Sequence, residues 1–236
     1  MINKKLKISV LFLLIICYLT RVNAQGNLPY VDDKPIRFGF AVGTNTMHFN
    51  VTESLMEIDG KVYNARLSQL KPGFSVGVTT DMRLHDYFNL RFVPMLHFGE
   101  RNLTYRAIDE EETSSVTIAS IPITIPVYLK YSALRVGNYR PYLIGGGGVS
   151  LDLARDTKKP VLLKPFDTFV EFGMGCDLYF SFFKLSPELK FSLGFNDMFT
   201  PLDERNSGFI SEADKKYSNA LSKLTSRMLT LTFNFE

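Results

Sequence analysis

The stretch Met228–Glu236, MLTLTFNFE, places the tightest constraint on what this chain can fold into. Leu229, Leu231, Phe233 and Phe235 alternate with Thr230, Thr232, Asn234 and Glu236. A period of two puts bulky apolar side chains on one face of a strand and polar ones on the other. That apolar face needs something to pack against. The same pattern recurs in seven earlier runs, at 37–51, 73–84, 88–99, 116–131, 140–154, 169–180 and 185–195, with no long helical period between them. Most runs approach the roughly 9–11 residues that a tilted strand needs to cross a bilayer.

The connections decide how these eight runs are arranged. Short links (around His85–Tyr87, Ser132–Asn138 and Ser181–Lys184) alternate with long ones (52–72, 106–115, 155–165 and 196–226). One trimmed rim and one elaborated rim is the signature of an antiparallel up-and-down barrel. We therefore expect an all-β, transmembrane β-barrel of about eight strands, with N- and C-termini both on the periplasmic, short-turn side. The last run would close the barrel by pairing with the first, and its apolar face would meet lipid.

The opposite faces must then fill the lumen. They carry Asp81, Arg83, Arg91, Lys130, Asp152, Glu171, Asp177, Glu188 and Lys190, with both signs in similar numbers. About eight strands leave an interior that side chains can fill. Buried charges are costly unless paired, so the expectation is a plugged core of ion pairs rather than a pore. A lipocalin-like soluble barrel would reverse the faces, and the charged alternation of 73–84 and 185–195 argues against it. Tyr87, Phe88, Tyr131, Tyr139, Tyr142, Tyr179 and Phe182 sit near the short-turn strand ends, where an interfacial aromatic girdle belongs.

Several residues conflict with regular strands. Pro94, Pro122, Pro126 and Pro187 fall inside strand patterns and predict bulges or strand ends. The first run changes phase, with Phe38, Phe40 and Val42 on one parity and Met47, Phe49 and Val51 on the other, which predicts a bulge at Thr44–Thr46. Gly145–Gly148 lacks the Lys-Ser/Thr and the helix of a phosphate loop, so it reads as room for large lumen side chains and for sharp coiling.

The first residues give the compartment. Lys4, Lys5 and Lys7 precede an apolar run from Ile8 to Leu19, which closes on Val22-Asn23-Ala24. This predicts a cleaved secretory signal peptide over 1–24, a short periplasmic tether over 25–36 and a barrel domain over 37–236. Ile16 before Cys17 is too large for a lipoprotein site. Removing the four basic residues of the signal from 27 leaves 23 against 24 acidic ones, so the basic pI of the whole chain implies no nucleic-acid partner. Cys176 alone then remains, and no internal disulfide can form.

Chemistry is sparse. His48, His85 and His97 lack metal-ligand spacing with one another or with a cysteine. His97 with a nearby Ser and Asp is the nearest approach to a hydrolase site. The acidic stretch Asp109–Ser115 reads as a solvated loop tip, and 211–227 as a short helix, a cap or a free loop. No catalytic, cofactor-binding or metal-ligating residue is assigned, and neither a cofactor nor a small-molecule substrate is expected.

The residues IPVYLKY, NYRPYLIGGGGVSLDLA and FVEFGMGCDLYFSFFKLSPELKFSLGFNDMF, with RFGFAVGTNTMHFNV at the start, resemble the PorT-like outer-membrane β-barrel family. The resemblance covers most of the chain after the signal. It implies an outer-membrane, non-enzymatic protein with an accessory or assembly role in type IX protein secretion. Its implied partners are lipid and other secretion-system components. Two alternatives stand beside it: a barrel binding a surface ligand or partner through long outer loops, and an outer-membrane enzyme.

Overall fold

A computed structural model describes residues 27–53, 57–58, 61–67, 71–107, 113–154, 162–200 and 221–236. Apart from a 3-10 turn at Val31–Asp33, the regular structure of these residues is all strand: β1 (Ile36–Glu53), β2 (Glu57–Ile58), β3 (Lys61–Leu67), β4 (Pro72–Arg83), β5 (Phe88–Phe92), β6 (Met95–Ala107), β7 (Thr113–Ser120), β8 (Pro122–Ser132), β9 (Tyr139–Asp152), β10 (Phe166–Tyr179), β11 (Lys184–Gly194) and β12 (Leu221–Phe235). Every pairing is antiparallel.

These segments make eight staves among the described residues. β3 and β4 lie along the same edge of β6 and count as one. β5 and β6 form a second, broken at Val93–Pro94, and β7 and β8 a third, broken at Ile121. β1, β9, β10, β11 and β12 supply the rest. Pro94 and Pro122 thus sit at breaks, because a proline contributes no N–H to a ladder. Pro126 lies inside a continuous ladder, where it pairs with Gly148.

β1 closes the barrel. It pairs with β4 from Ile36↔Met82 to Thr46↔Pro72, and with β12 from Phe40↔Phe235 onward. Turns at 84–87, 133–138 and 180–183 share one rim with the entry to β1 and the exit of β12. The long connections gather at the other rim, where strands run further than the sequence pattern implied. β12 begins at Leu221, inside the stretch expected as a helix, a cap or a free loop; residues 211–220 of that stretch, the signal region 1–24 and 108–112 lie outside the described residues.

The expected bulge at Thr44–Thr46 is absent. The β1–β12 register runs unbroken to Thr52 and shifts only there. The apolar parity changes for another reason. Phe38 and Phe40 face outward, whereas Met47 and Phe49 point into the lumen and are buried. These two apolar side chains face inward beside polar ones such as His97 and Arg101, and an inward Phe mimics a change of phase.

Facing otherwise follows the alternation. Phe74, Val78, Val127, Leu129, Phe172, Leu189 and Leu231 are exposed on the outer wall, and the polar residues between them are buried. The large apolar surface is therefore on the outside, the arrangement of a barrel whose solvent is lipid.

Candidate functional site

The staves deliver their polar face to one interior site in the short-turn half of the barrel. Arg91 on β5 occupies its centre, fully buried. It reaches Asp81 on β4 (2.8 Å), Glu188 on β11 (3.0 Å) and Glu236 after β12 (2.9 Å). Arg37 on β1 shares Asp81 at 2.6 Å and lies 3.4 Å from Glu236. Asn89 also donates to Asp81. Lys184 approaches Glu236 to 2.6 Å, an ion pair by distance though not aligned as a hydrogen bond.

A second arm extends from Asp177 on β10, which binds Lys130 on β8 at 2.7 Å and accepts from Ser186 at 2.6 Å. Lys190 sits between Glu171 (3.6 Å) and Glu188 (3.4 Å). Tyr142 joins the arms: its hydroxyl donates to Glu188 at 2.8 Å, and Lys130 Nζ lies 3.8 Å from its ring centre. The network holds five cations (Arg37, Arg91, Lys130, Lys184 and Lys190) and five carboxylates (Asp81, Glu171, Asp177, Glu188 and Glu236). Matched charge in contact geometry is what a dry interior requires.

Of the expected lumen residues, Asp81, Arg91, Lys130, Asp152, Glu171, Asp177, Glu188 and Lys190 are inside. Arg83 is not. It lies at the short-turn rim, bonded to Asp33 (3.0 Å) and Asp86 (2.6 Å). The Arg83 hydrogen bond holds the Asp86 carboxyl below the usual carboxylate range. Arg37, Lys184 and Glu236 are interior residues that the pattern reading left out. Glu236 shares parity with Thr230, Thr232 and Asn234, a signal that would have placed it. Two expected girdle residues also turn inward: Tyr142, to Glu188, and Tyr179, to Asp32. Phe40, Phe235, Phe180 and Phe183 take up the outer rim instead; Phe40 and Phe235 stack at 4.8 Å.

Towards the long loops the lumen holds a neutral cluster. Ser75 Oγ lies 2.8 Å from His97 Nδ1, and His97 Nε2 lies 3.0 Å from Thr124 Oγ1. A hydrolase would need a carboxylate at the second nitrogen and a route for substrate. Thr124 occupies that place, and Ser75 and His97 are buried. Above them the Arg101 guanidinium lies over the Phe49 ring at 4.6 Å, beside a cavity of about 20 Å³. Among the described residues no group of three or more His, Cys, Asp and Glu side chains is placed to hold a metal ion.

The short-turn rim is covered by the described part of the expected tether. Asn27 donates twice to the rim, from its backbone N–H to the Asn138 side-chain oxygen (2.7 Å) and from its side-chain amide to the Tyr179 carbonyl (3.0 Å). Arg135 donates to the carbonyls of Asn27 and Leu28 and stacks 3.6 Å over the Tyr179 ring. The Tyr179 hydroxyl donates to Asp32 at 2.7 Å.

No curated protein matches the chain. Among solved structures, Neisserial surface protein A is 12% identical, the match covering 85% of this chain and 98% of that one at a TM-score of 0.41. OprG from Pseudomonas aeruginosa is 12% identical over 85% of this chain and 93% of that one, at 0.42. Ail of Yersinia pestis, solved with the heparin analogue sucrose octasulfate, is 9% identical over 84% and 96%, at 0.35. A family model described as "Outer membrane protein beta-barrel domain" matches residues 23–200, well over half of the sequence. The chain belongs to the outer membrane protein β-barrel domain family.

Proposed function

We propose that this protein is a non-conducting, non-enzymatic outer-membrane barrel with an accessory or assembly role in type IX protein secretion. It reaches the membrane through a cleaved signal peptide over 1–24 and stands with its short turns in the periplasm. The secretion role comes from the PorT-like resemblance of the segments 125–131, 138–154 and 169–199. The observation that carries the mode of action is the filled lumen. Arg91 and its partners bridge β1, β4, β5, β11 and the end of β12, leaving no passage for a folded cargo at that level. The protein therefore works by contact, with other secretion components as partners at its rims.

Deleting the gene tests this reading. Type IX cargo is expected to accumulate as unprocessed precursor in the periplasm, while bulk outer-membrane proteins stay normal. Normal export in the deletion strain would remove the secretion role.

A second reading rests on the long-loop rim. There β3, β6 and β7 pair beyond the closed barrel, from Tyr63↔Ala107 to Gly99↔Ser120, and raise one side of the wall into a sheet. Such a platform suits the capture of a surface ligand or partner. Loss of surface binding with normal cargo export would favour it.

A further inference from the structure

The segment before β1 lies across a mouth ringed by arginines, and it meets them as an acceptor. Arg135 donates to the carbonyls of Asn27 and Leu28. Arg140 lies 3.4 Å from the Asp32 carboxylate, and Arg83 binds that of Asp33 at 3.0 Å. Arg37, deeper in the lumen, reaches the Val31 and Asp32 carbonyls at 3.5 Å. Among the described residues, the ion pairs of Arg83, Arg135 and Arg140 involve only Asp32, Asp33 and Asp86. With the segment in place, three arginines face three carboxylates. Without it, they face Asp86 alone.

The segment fits this mouth loosely. Leu28 is held at φ 51°, a left-handed conformation that costs a leucine energy. The turn Val31–Asp33 buries none of its residues, and Tyr30 is 77% exposed. Asp32 Oδ1 has no hydrogen-bond partner among the described residues, although Oδ2 accepts from Tyr179. Ion pairs at a wetted rim contribute little each. Beside the segment is a cavity of about 250 Å³, and Arg83, Arg135, Arg140 and Asp32 line it too. The segment thus covers the arginines without filling the space around them. Strained residues of this kind gather at ligand clamps and switch regions.

The segment also shows what chemistry the mouth accepts: main-chain carbonyls followed by two adjacent carboxylates. An acidic peptide supplies both, and the planar guanidinium is the cation best matched to a carboxylate. We propose that the arginine mouth is a receptor for an acidic segment of a periplasmic partner, and that Asn27–Asp33 occupies it in cis as a displaceable stand-in. The inference rests on the reading of a barrel that works by contact at its rims. A tethered stand-in competes at an effective concentration in about the millimolar range, so the partner must displace it to bind.

The probes are two fluorescein-labelled peptides, NLPYVDD and NLPYVNN, added to the mature chain folded in detergent. Asp32→Asn combined with Asp33→Asn weakens the contact in cis. This variant should bind NLPYVDD roughly tenfold or more tighter than the wild-type chain does. It should bind NLPYVNN far more weakly, and added salt should weaken the NLPYVDD complex. Adding Arg135→Ala and Arg140→Ala should abolish binding. In the wild-type chain, millimolar NLPYVDD should speed amide hydrogen exchange of residues 27–35 several-fold, a readout that decides alone if the double variant does not fold. Equal binding of the two peptides, or no response to NLPYVDD in the exchange measurement, would overturn the proposal. So would release of the segment by phosphatidylglycerol added to the micelles but not by the peptide, which would make the mouth a lipid-headgroup site. Normal cargo export in the deletion strain would remove the secretion role and leave these peptide results standing, so the two failures are told apart.

Discussion

Arg91 Nη2 and Glu236 Oε1 meet 2.9 Å apart, although 145 residues separate them in sequence. Glu236 also contacts Arg37 and Lys184, so one carboxylate ties three staves to the end of a fourth. Glu236→Gln should leave those cations undercompensated in a dry site and destabilise the barrel by about 3–5 kcal/mol. Urea unfolding from vesicles, read by tyrosine fluorescence in this tryptophan-free chain, measures it. An unchanged midpoint would mean that the lumen is wet enough to solvate the cations.

Leu189 and Lys190 are sequence neighbours on opposite faces, half-exposed and buried respectively. Leu189→Arg should cost up to about 2–4 kcal/mol, depending on depth, through its exposure to lipid. Lys190→Phe should also destabilise, by stranding Glu171 and Glu188, whereas Leu189→Phe should be near neutral. Equal tolerance of Phe at both positions would show the faces to be misassigned.

Gly145 and Gly146 differ in the same way. A Cβ at Gly146 would collide with the Val127 carbonyl and the Tyr128 backbone, whereas one at Gly145 meets nothing within 4 Å. Gly146→Ala should cost about 1–3 kcal/mol by overpacking, and Gly145→Ala should be tolerated. Thermal shifts of the two folded barrels make the comparison.

Arg135 holds the segment before β1 against the rim through two carbonyls and the Tyr179 ring. Arg135→Ala should expose residues 27–35 to protease while the barrel stays folded on gels. A cleavage rate equal to wild type would show that the remaining contacts of Asn27 and Asp32 suffice to hold it.

The facing of the wall was legible wherever charged and apolar residues alternate, as in Asp177 beside Cys176 and Leu178. Prolines 94 and 122 also announced the breaks. Legibility failed where an apolar side chain faces inward. Met47 and Phe49 fill the lumen near the long loops, so their parity read as a bulge. Tyr142 and Tyr179 were read as interfacial because tyrosine suits both a girdle and a buried hydrogen bond, and alternation alone does not separate these uses. Tyr179 does share parity with Glu171 and Asp177, which pointed inward. Arg83 shares parity with Asp81, yet the strand ends there and its long side chain reaches rim carboxylates instead.

The seam between β1 and β12 joins segments near opposite ends of the described chain. The hairpins β9–β10, β10–β11 and β11–β12 form from close neighbours, whereas this ladder must close the longest loop, and such pairings come late. Until β12 arrives, one edge of an 18-residue strand stays open and unpaired. An open edge accepts any strand of suitable register. The time spent waiting for β12 therefore sets the window in which the β1 edge can mispair with another copy.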